Sequence, residues 1–537
     1  MGGPEGFVNQ EGKMALHSQV FNTIVRPFYF LLSTVLLFSV GHAGSVESHP
    51  ESIDWAKVHD LTIRGIHRLY SLEVDDARHA FDSVSNLAPG DPRGPFFQSM
   101  VHFYVYSLNR DEKELSAFLD ESEKVIEICE SLLDKNDQDA TTKFYLGGIY
   151  GYRGLAYQTS GSILKAVKDG RKGYLFLEEA VIEKPDLYDA HMGFGLFQYL
   201  LAKIPKSMKW ILSMLGFSGD LEGGLKSLQL AAEKGVYTRA EAKLYLAQFL
   251  FAEGRQDSAM KYLNELRRDY PENTLFLVLY SFWQHRLRNL DEAMTAAHAA
   301  VELNNRKKVR YGEELAYSTL GSIYFTLNDF ENARTNFRLY MQRTRNNERT
   351  PNQTYLRAGL ACEIAGDRAA AVEFYQRMKE PDNQNRAWDG YNYRRGQELL
   401  LRPMTEAEIL IVKAGNESSQ RKFARSIEMY NDALEKINGD IDVQARALYG
   451  ILQSQFDAEM FTGAVETSRR TVALNPVNET WIIPHAWFKL GQIYVKQGKL
   501  ADARSAFDRV GEYDDYNFQE RLETQVQQEM KKLDGVN

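Results

Sequence analysis

The feature that most constrains the fold is a spaced motif near the C-terminus, Trp487-x-x-Leu490-Gly491-x-x-Tyr494 followed by Ala503-x-x-x-Phe507. Its first four residues lie at positions i, i+3, i+4 and i+7, which places them on one stripe of a helix and predicts that Trp487 packs in the core. Ala503 and Phe507 form a small-and-large pair on a second helix, and Gly491 has no side chain to keep that helix away. The motif therefore predicts two packed helices joined by a turn at Gly498.

The same spacing recurs along the chain with a period of about 34 residues. A second complete copy reads Tyr317-x-x-Leu320-Gly321-x-x-Tyr324, with Ala333 and Phe337, and copies with substitutions lie near residues 61, 246, 355 and 448. Such a repeat is typical of stacked helix pairs, each of which needs its neighbours to bury its apolar face. We predict an all-α protein, a tetratricopeptide-type α-solenoid and superhelix of about ten antiparallel helix pairs.

Two regions depart from the period. Residues 144–185 contain about fourteen extra residues, so both helices of this pair or their joint must be longer than usual. Residues 191–235 predict a helix, a break at Pro205, a short apolar helix, a glycine-rich turn and another helix. We interpret residues 193–228 as an irregular insertion.

This insertion also resembles a narrower family. It contains a Gly-x-Phe-x-Leu helix, an Ile-Pro step, Gly-Phe-Ser-Gly-Asp and Gly-Leu-x-x-Leu in that order. The order is similar to the signature of the eukaryotic tetratricopeptide repeat protein 39 family, which includes the fungal inclusion body clearance proteins. The similarity covers roughly residues 60–270, although Leu221 replaces an arginine that is common in relatives. The resemblance implies an all-helical adaptor without a catalytic centre. The eukaryotic members of the family work inside the cell, but we do not transfer that location to this chain.

The N-terminus predicts export. The mainly apolar residues 28–40 precede a small-x-small site suited to cleavage between Ala43 and Gly44. Thirteen helical residues span about 20 Å, less than the roughly 30 Å hydrocarbon core of a membrane. A cleaved signal is therefore favoured over an uncleaved anchor, with Met1 or Met14 as the start. We expect a periplasmic or secreted protein in a bacterial cell envelope.

Composition and motifs argue against several functions. The net charge of −9 disfavours nucleic-acid binding, which needs a basic face. Metal-ligand, phosphate-loop and nucleophile motifs are absent from the sequence, so we predict no catalytic residue, no metal and no cofactor. A hydrolase with Ser218 as nucleophile is a remote third hypothesis. Cys129 and Cys362 are interpreted as small core residues.

What remains is a binding surface on the first helix of each pair. The residues between its packing anchors are expected on the concave face. We predict that the partner-binding residues are Leu244, Gln248, Phe251, Phe282, His285, Ser322, Phe325, Tyr449, Gln453, Phe456, Phe488, Gln492 and Lys496. Aromatic and amide side chains suit an extended peptide or a helix, although any of these aromatic residues could instead pack on the next repeat.

The predicted function is thus an exported, non-catalytic scaffold or adaptor that binds a protein or peptide of unknown identity. The alternative is a lipid or small-ligand carrier that uses the apolar 193–228 insertion, which also leaves peripheral membrane association open. The oligomeric state is not predicted. The predicted divisions are residues 1–43 (signal segment), 44–57 (linker), 58–270 (N-terminal repeats with the insertion), 271–400 (central repeats) and 401–530 (C-terminal repeats).

Overall fold

The computed structural model describes residues 53–204, 217, 219–307, 311–344, 350–381 and 388–535. In these ranges the chain forms α-helices and one short 3₁₀ segment, with no strand, which confirms the predicted all-α class. The predicted signal segment and most of the predicted linker lie outside the described residues.

The described residues form two compact units, which divide between Phe276 and Leu277. The helices of the N-terminal unit are α1 (Trp55–Tyr70), α2 (Val74–Leu87), α3 (Arg93–Asn109), α4 (Glu112–Leu133), α5 (Ala140–Thr159), α6 (Ile163–Glu183), α7 (Ala190–Ala202), α8 (Leu221–Lys234), α9 (Arg239–Ala252) and α10 (Gln256–Asp269). Helix α11 (Thr274–Arg286) contains the division.

The C-terminal unit continues the same succession of helices. They are α12 (Leu290–Lys307), α13 (Glu313–Thr326), α14 (Phe330–Arg343), α15 (Asn352–Ile364), α16 (Arg368–Gln376), α17 (Trp388–Leu401), α18 (Glu406–Ser419), α19 (Phe423–Glu435), α20 (Ile441–Asp457), α21 (Phe461–Val472), α22 (Ile482–Lys496), α23 (Leu500–Asp508), the 3₁₀ segment Arg509–Glu512 and α24 (Gln519–Asp534). The motif that predicted a helix pair is the pair α22 and α23.

Successive helices pack in pairs within each unit. The N-terminal pairs are α1/α2, α3/α4, α5/α6, α7/α8 and α9/α10. The C-terminal unit contains α13/α14, α15/α16, α18/α19, α20/α21 and α22/α23, while α17 packs on α15 and α16. This pairing confirms the tetratricopeptide-type α-solenoid.

A glycine on the first helix and an aromatic ring on the second hold a typical pair together. A Cβ atom on Gly491 would overlap the Phe507 ring, and one on Gly321 would lie 2.8 Å from Cδ1 of Phe337. Both rings are fully buried. The ring therefore occupies the space of the missing side chain, as the motif predicts.

Trp487 requires a correction, because we interpreted it as a core residue. It is only partly buried and lies at the edge of the C-terminal apolar cluster. Its indole N–H donates to the Tyr513 hydroxyl at 3.3 Å, and the Arg509 guanidinium lies 5.1 Å from the centre of its ring. The tryptophan thus tethers the chain that follows α23, whereas Phe507 forms the core of the pair.

The two irregular regions are also helix pairs. Helices α5 and α6 have 20 and 21 residues, so of the two predicted alternatives it is the helices of this pair that are extended. The region interpreted as an insertion contains the pair α7/α8, in which a Cβ atom on Gly195 would lie 2.7 Å from the Gly224 carbonyl oxygen. Its connection, with the predicted short apolar helix, falls mostly on residues 205–216, outside the described residues.

We expect Phe507→Ala to destabilise the C-terminal repeats by about 3–5 kcal/mol, the usual cost of deleting a buried aromatic ring. Trp487→Ala should cost less, about 1–2 kcal/mol, because its ring is already partly solvated. Hydrogen exchange should show lost protection in α22–α24 first, since each repeat contacts only its neighbours. Equal loss of protection in the N-terminal unit would contradict this expectation.

Candidate functional site

The first helices of neighbouring pairs contact one another, and the side chains on their shared face form two polar sites. In the N-terminal unit α1, α3, α5, α7 and α9 follow one another in contact. In the C-terminal unit α18, α20, α22 and α24 do the same. The second helices pack behind this row, so the first-helix face is the surface left for a ligand.

The tyrosine site, as we call it, brings five side chains together in the N-terminal unit. It consists of Tyr70 on α1, Tyr104 on α3, Tyr152 on α5, and Glu241 and Tyr245 on α9. The rings of Tyr70 and Tyr104 lie 6.0 Å apart, and the Tyr152 hydroxyl donates to Oε2 of Glu241 at 2.5 Å. Tyr152 is buried, whereas the other four side chains are partly exposed.

Contacts across the unit close one side of this site. The Tyr70 ring lies 5.5 Å from that of Tyr270 and 6.5 Å from that of Phe276. The Asn273 amide donates to the Tyr70 carbonyl oxygen at 2.7 Å. The start of the chain's helical stack therefore meets its fifth pair, and the tyrosine site lies between them.

A buried carboxylate positions the helix that carries Glu241. Oδ1 of Asp189 accepts hydrogen bonds from the backbone N–H groups of Val236, Tyr237 and Thr238 at 2.9, 2.8 and 2.9 Å. These residues directly precede α9, so Asp189 at the start of α7 fixes where α9 begins.

The electrostatics of the tyrosine site centre on Glu241. Burial raises the pKa of its carboxyl from the usual 4.5 to about 7, and the hydrogen bond from Tyr152 offsets only part of this effect. Burial and then the charge of Glu241 raise the pKa of Tyr70 well above its usual range. Among the described residues no lysine, arginine or histidine forms an ion pair with Glu241.

The C-terminal polar site, the second of the two, lies on α20 and α22. The Lys489 ammonium is 4.0 Å from the centre of the Phe456 ring and forms neither a hydrogen bond nor an ion pair with any described residue. Asp457 lies nearby, accepts from the Gln453 amide at 2.9 Å and is 3.8 Å from the Arg288 guanidinium.

The charges of this site are incompletely compensated. Burial lowers the pKa of Lys489 to about 8 despite the opposing effect of Asp457. Burial likewise raises the pKa of Asp457 above its usual range. The side-chain carbonyl oxygens of Gln453 and Gln492 are buried without a hydrogen-bond partner in the described structure. The buried charges and the unpaired amide oxygens lower the free energy of unfolding of the unbound protein.

The thirteen predicted binding residues divide by their exposure. Those that are buried are Phe251, Phe325, Tyr449, Phe456 and Phe488. Those that are partly exposed are Leu244, Gln248, Phe282, His285, Ser322, Gln453 and Gln492, and Lys496 is exposed. The structure brings Gln453, Phe456 and Gln492 into the C-terminal polar site. The binding role of all thirteen residues stays a prediction.

Several of the buried aromatic residues pack within the fold. The Phe488 ring lies 5.6 Å from Phe507, and the Tyr449 ring lies 5.3 Å from Trp481. The imidazole of His285 contacts Thr326 at 2.9 Å, and its pKa is lowered to about 3 by burial. The Tyr449 and His285 contacts correspond to the alternative in which aromatic residues pack on the neighbouring repeat, whereas Phe488 packs within its own pair.

The residues that sequence reasoning missed lie close to those that it selected. Lys489 shares a helical stripe with Gln492 and Lys496, at i, i+3 and i+7, and Glu241 has the same relation to Leu244 and Gln248. Both residues could have been identified from the sequence as charged residues on a helical stripe of aromatic and amide residues.

The described residues also bear on other kinds of site. Within the described ranges no group of three or more His, Cys, Asp or Glu side chains could hold a metal ion. No described helix is both long and apolar enough to span a bilayer. A cavity of about 30 Å³ among Gly151, Leu155, Phe197 and Leu201 has room for roughly one water molecule, which is too small for a lipid. Cys129 and Cys362 are buried free thiols.

The paired helices define the fold class, a tetratricopeptide-type α-solenoid. Residues 454–517 match the sequence model of a tetratricopeptide repeat. Residues 189–379 match the model described as Iml2/Tetratricopeptide repeat protein 39, which confirms the predicted resemblance. The match overlaps the expected range over residues 189–270, does not include residues 60–188, and extends to residue 379.

Solved structures with related architecture share little sequence with this chain. A human IFIT1 dimer with PPP-AAAA is 15% identical, covers 86% of this chain and 95% of its own, and has a TM-score of 0.34. Yeast Tom70 is 14% identical over 88% and 95% of the two chains, with a TM-score of 0.25. A tetratricopeptide repeat protein from Parabacteroides merdae is 14% identical over 54% and 97%, also with a TM-score of 0.25.

Replacement of Glu241 should change how stability depends on pH. Because its pKa is raised on folding, its stabilising contribution is full below about pH 4.5 and is lost as the pH rises through about 7. Relative to Glu241→Gln, the wild-type chain should therefore lose on the order of 1–2 kcal/mol of unfolding free energy between pH 5 and pH 8.

Urea unfolding of both chains at the two pH values measures this difference. Any other group that titrates between these pH values is common to both chains, so its contribution cancels. Glu222→Gln, which removes an exposed first-turn glutamate from α8, serves as the control. A pH-independent difference between wild type and Glu241→Gln would contradict the assignment.

Proposed function

We propose that this protein is an exported, non-catalytic scaffold that binds an extended polypeptide segment along its first-helix faces. The repeats support a protein-interaction scaffold, and families of this type are generally non-catalytic. Binding of an extended segment and the cell-envelope location are the further steps of this proposal.

The observation that carries the proposal is the C-terminal polar site. It combines an aromatic face at Phe456, an unpaired ammonium at Lys489 and two unpaired amide oxygens. A polypeptide supplies what these groups need, because its N–H groups can donate to the amide oxygens and its carbonyl oxygens can accept from Lys489. When a bound polypeptide forms hydrogen bonds with the ammonium and the amide oxygens, the free-energy penalty of burying these groups unpaired is removed.

A photoreactive amino acid at Gln492 should therefore crosslink to a polypeptide in cells that produce the full-length protein. The same amino acid at Arg425, an exposed residue on second helix α19, should give little or no product. Mass spectrometry of the adduct would identify the bound segment. Equal labelling from the two positions would argue against binding on the first-helix face.

Lys489→Met provides a second test, because it separates binding from stability. The substitution removes a buried charge whose pKa is lowered, so it should raise the free energy of unfolding by about 1–3 kcal/mol at neutral pH. It should also reduce the Gln492 crosslink several-fold. A destabilised Lys489→Met chain with unchanged crosslinking would show that Lys489 serves the fold alone.

Export rests on the apolar segment 28–40 and the cleavage site after Ala43, which lie outside the described residues. A fusion of residues 1–60 to alkaline phosphatase should be active in the bacterial periplasm and should begin at Gly44 after processing. Leu36→Arg should abolish that activity, because a charge interrupts the apolar segment. A fusion that stays inactive in the cytoplasm would refute export while leaving peptide binding untouched.

A further inference from the structure

Burial makes the ionised form of the Glu241 carboxyl group unfavourable. It lies in the first turn of α9, where the positive end of the helix dipole favours an ionised carboxylate. Its pKa is nevertheless raised, so burial outweighs the helix dipole. The contact from Tyr152 is a neutral hydroxyl and brings no compensating charge. The carboxylate therefore lacks a cation.

The basic residues next to it in sequence are engaged elsewhere. The Lys243 ammonium lies 3.0 Å from Glu265 and 3.2 Å from Asp269, both on α10. The Arg239 side chain donates to the Gly235 carbonyl oxygen at 2.8 Å. Neither of these cations pairs with Glu241, so a positive charge that stabilises its ionised form has to come from outside these residues.

The rings around Glu241 suit such a cation. Tyr70, Tyr104 and Tyr245 come from three different first helices and each keeps part of its surface exposed. An aromatic face attracts a lysine or arginine side chain within about 6 Å, and the attraction grows as water is excluded. The Tyr70 and Tyr245 side chains are electrostatically coupled to Glu241, and aromatic rings near one carboxylate favour a cation over an anion or a neutral group.

We propose that the tyrosine site binds a lysine or arginine side chain of the partner polypeptide, whose charge pairs with Glu241 while its stem packs on Tyr70 and its neighbours. Because the occupant belongs to the bound polypeptide, this assignment rests on the function proposed above. It gives the N-terminal unit a specific role in selecting partners with a basic residue.

Two capped peptides provide the probe. One is tetralysine with an acetylated N-terminus and an amidated C-terminus, and the other is the same peptide with every lysine side chain acetylated. We expect the full-length protein to bind tetralysine at least ten-fold more tightly at physiological salt, as measured by calorimetry. Glu241→Gln should remove most of this preference, because the glutamine keeps the Tyr152 hydrogen bond but carries no charge.

Matched variants distinguish binding by the aromatic rings of the tyrosine site from a general attraction of tetralysine to an acidic protein. Tyr70→Leu should weaken tetralysine binding about five-fold or more, whereas Tyr70→Phe should retain it, because phenylalanine keeps the aromatic face. Glu222→Gln should leave it unchanged. Circular dichroism and thermal unfolding of each variant show that the fold is intact.

Three results would overturn the assignment. Equal losses in Glu241→Gln and Glu222→Gln would indicate diffuse electrostatic attraction. Unchanged binding in Glu241→Gln would leave the carboxyl as a structural partner of Tyr152. Tetramethylammonium binding as tight as that of tetralysine would indicate a site for small amines.

The crosslink from Gln492 keeps this assignment distinguishable from the proposed function. If that crosslink forms while tetralysine shows no preference, the scaffold function stands and the cation site fails. If tetralysine binds through Glu241 while Gln492 crosslinks to nothing, the scaffold function fails, and the occupant cannot be assigned to a partner polypeptide.

Discussion

Most of the architecture depends on the packing of an aromatic ring against a glycine between the two helices of a pair. At Gly491 and Phe507, and again at Gly359 and Tyr375, any side chain on the glycine would collide with the ring. The close approach lets one ring bury its whole surface without a large apolar cluster on the first helix. One side of the first helix is thus used for pairing, and another stays free to carry polar groups.

That freedom explains why both candidate sites lie on first helices. Lys489 is two residues before Gly491, so the helix that buries its glycine against Phe507 also presents an ammonium to a different neighbour. In the N-terminal unit, α9 presents Glu241 towards Tyr152 while its other residues pack on α10. Within both units, rigid helix pairs hold charged groups in partly buried positions that a flexible loop would not maintain.

The direction of the pKa shift distinguishes Glu241 and Lys489 from the residues of structural ion pairs in the same chain. Glu408 is buried but lies between Arg395, Arg402 and Arg446, which hold its pKa far below the usual range. Glu241 and Lys489 have pKa values shifted in the opposite sense, towards the neutral form. A group that burial destabilises and the fold leaves uncompensated is a better candidate for a ligand contact than one with a full set of partners.

The sequence by itself determined the helix pairs, because the motif from Trp487 to Phe507 places its residues by helical periodicity, which is a local property. The sequence also identified the first-helix face as the candidate binding surface, yet several aromatic residues that the repeat motif places on that face are buried against neighbouring side chains. Only the tertiary structure decided which residues converge, since Tyr70 and Glu241 are far apart in the chain and meet through the stacking of five pairs. That stacking sums small rotations between successive repeats, and no single repeat encodes the sum.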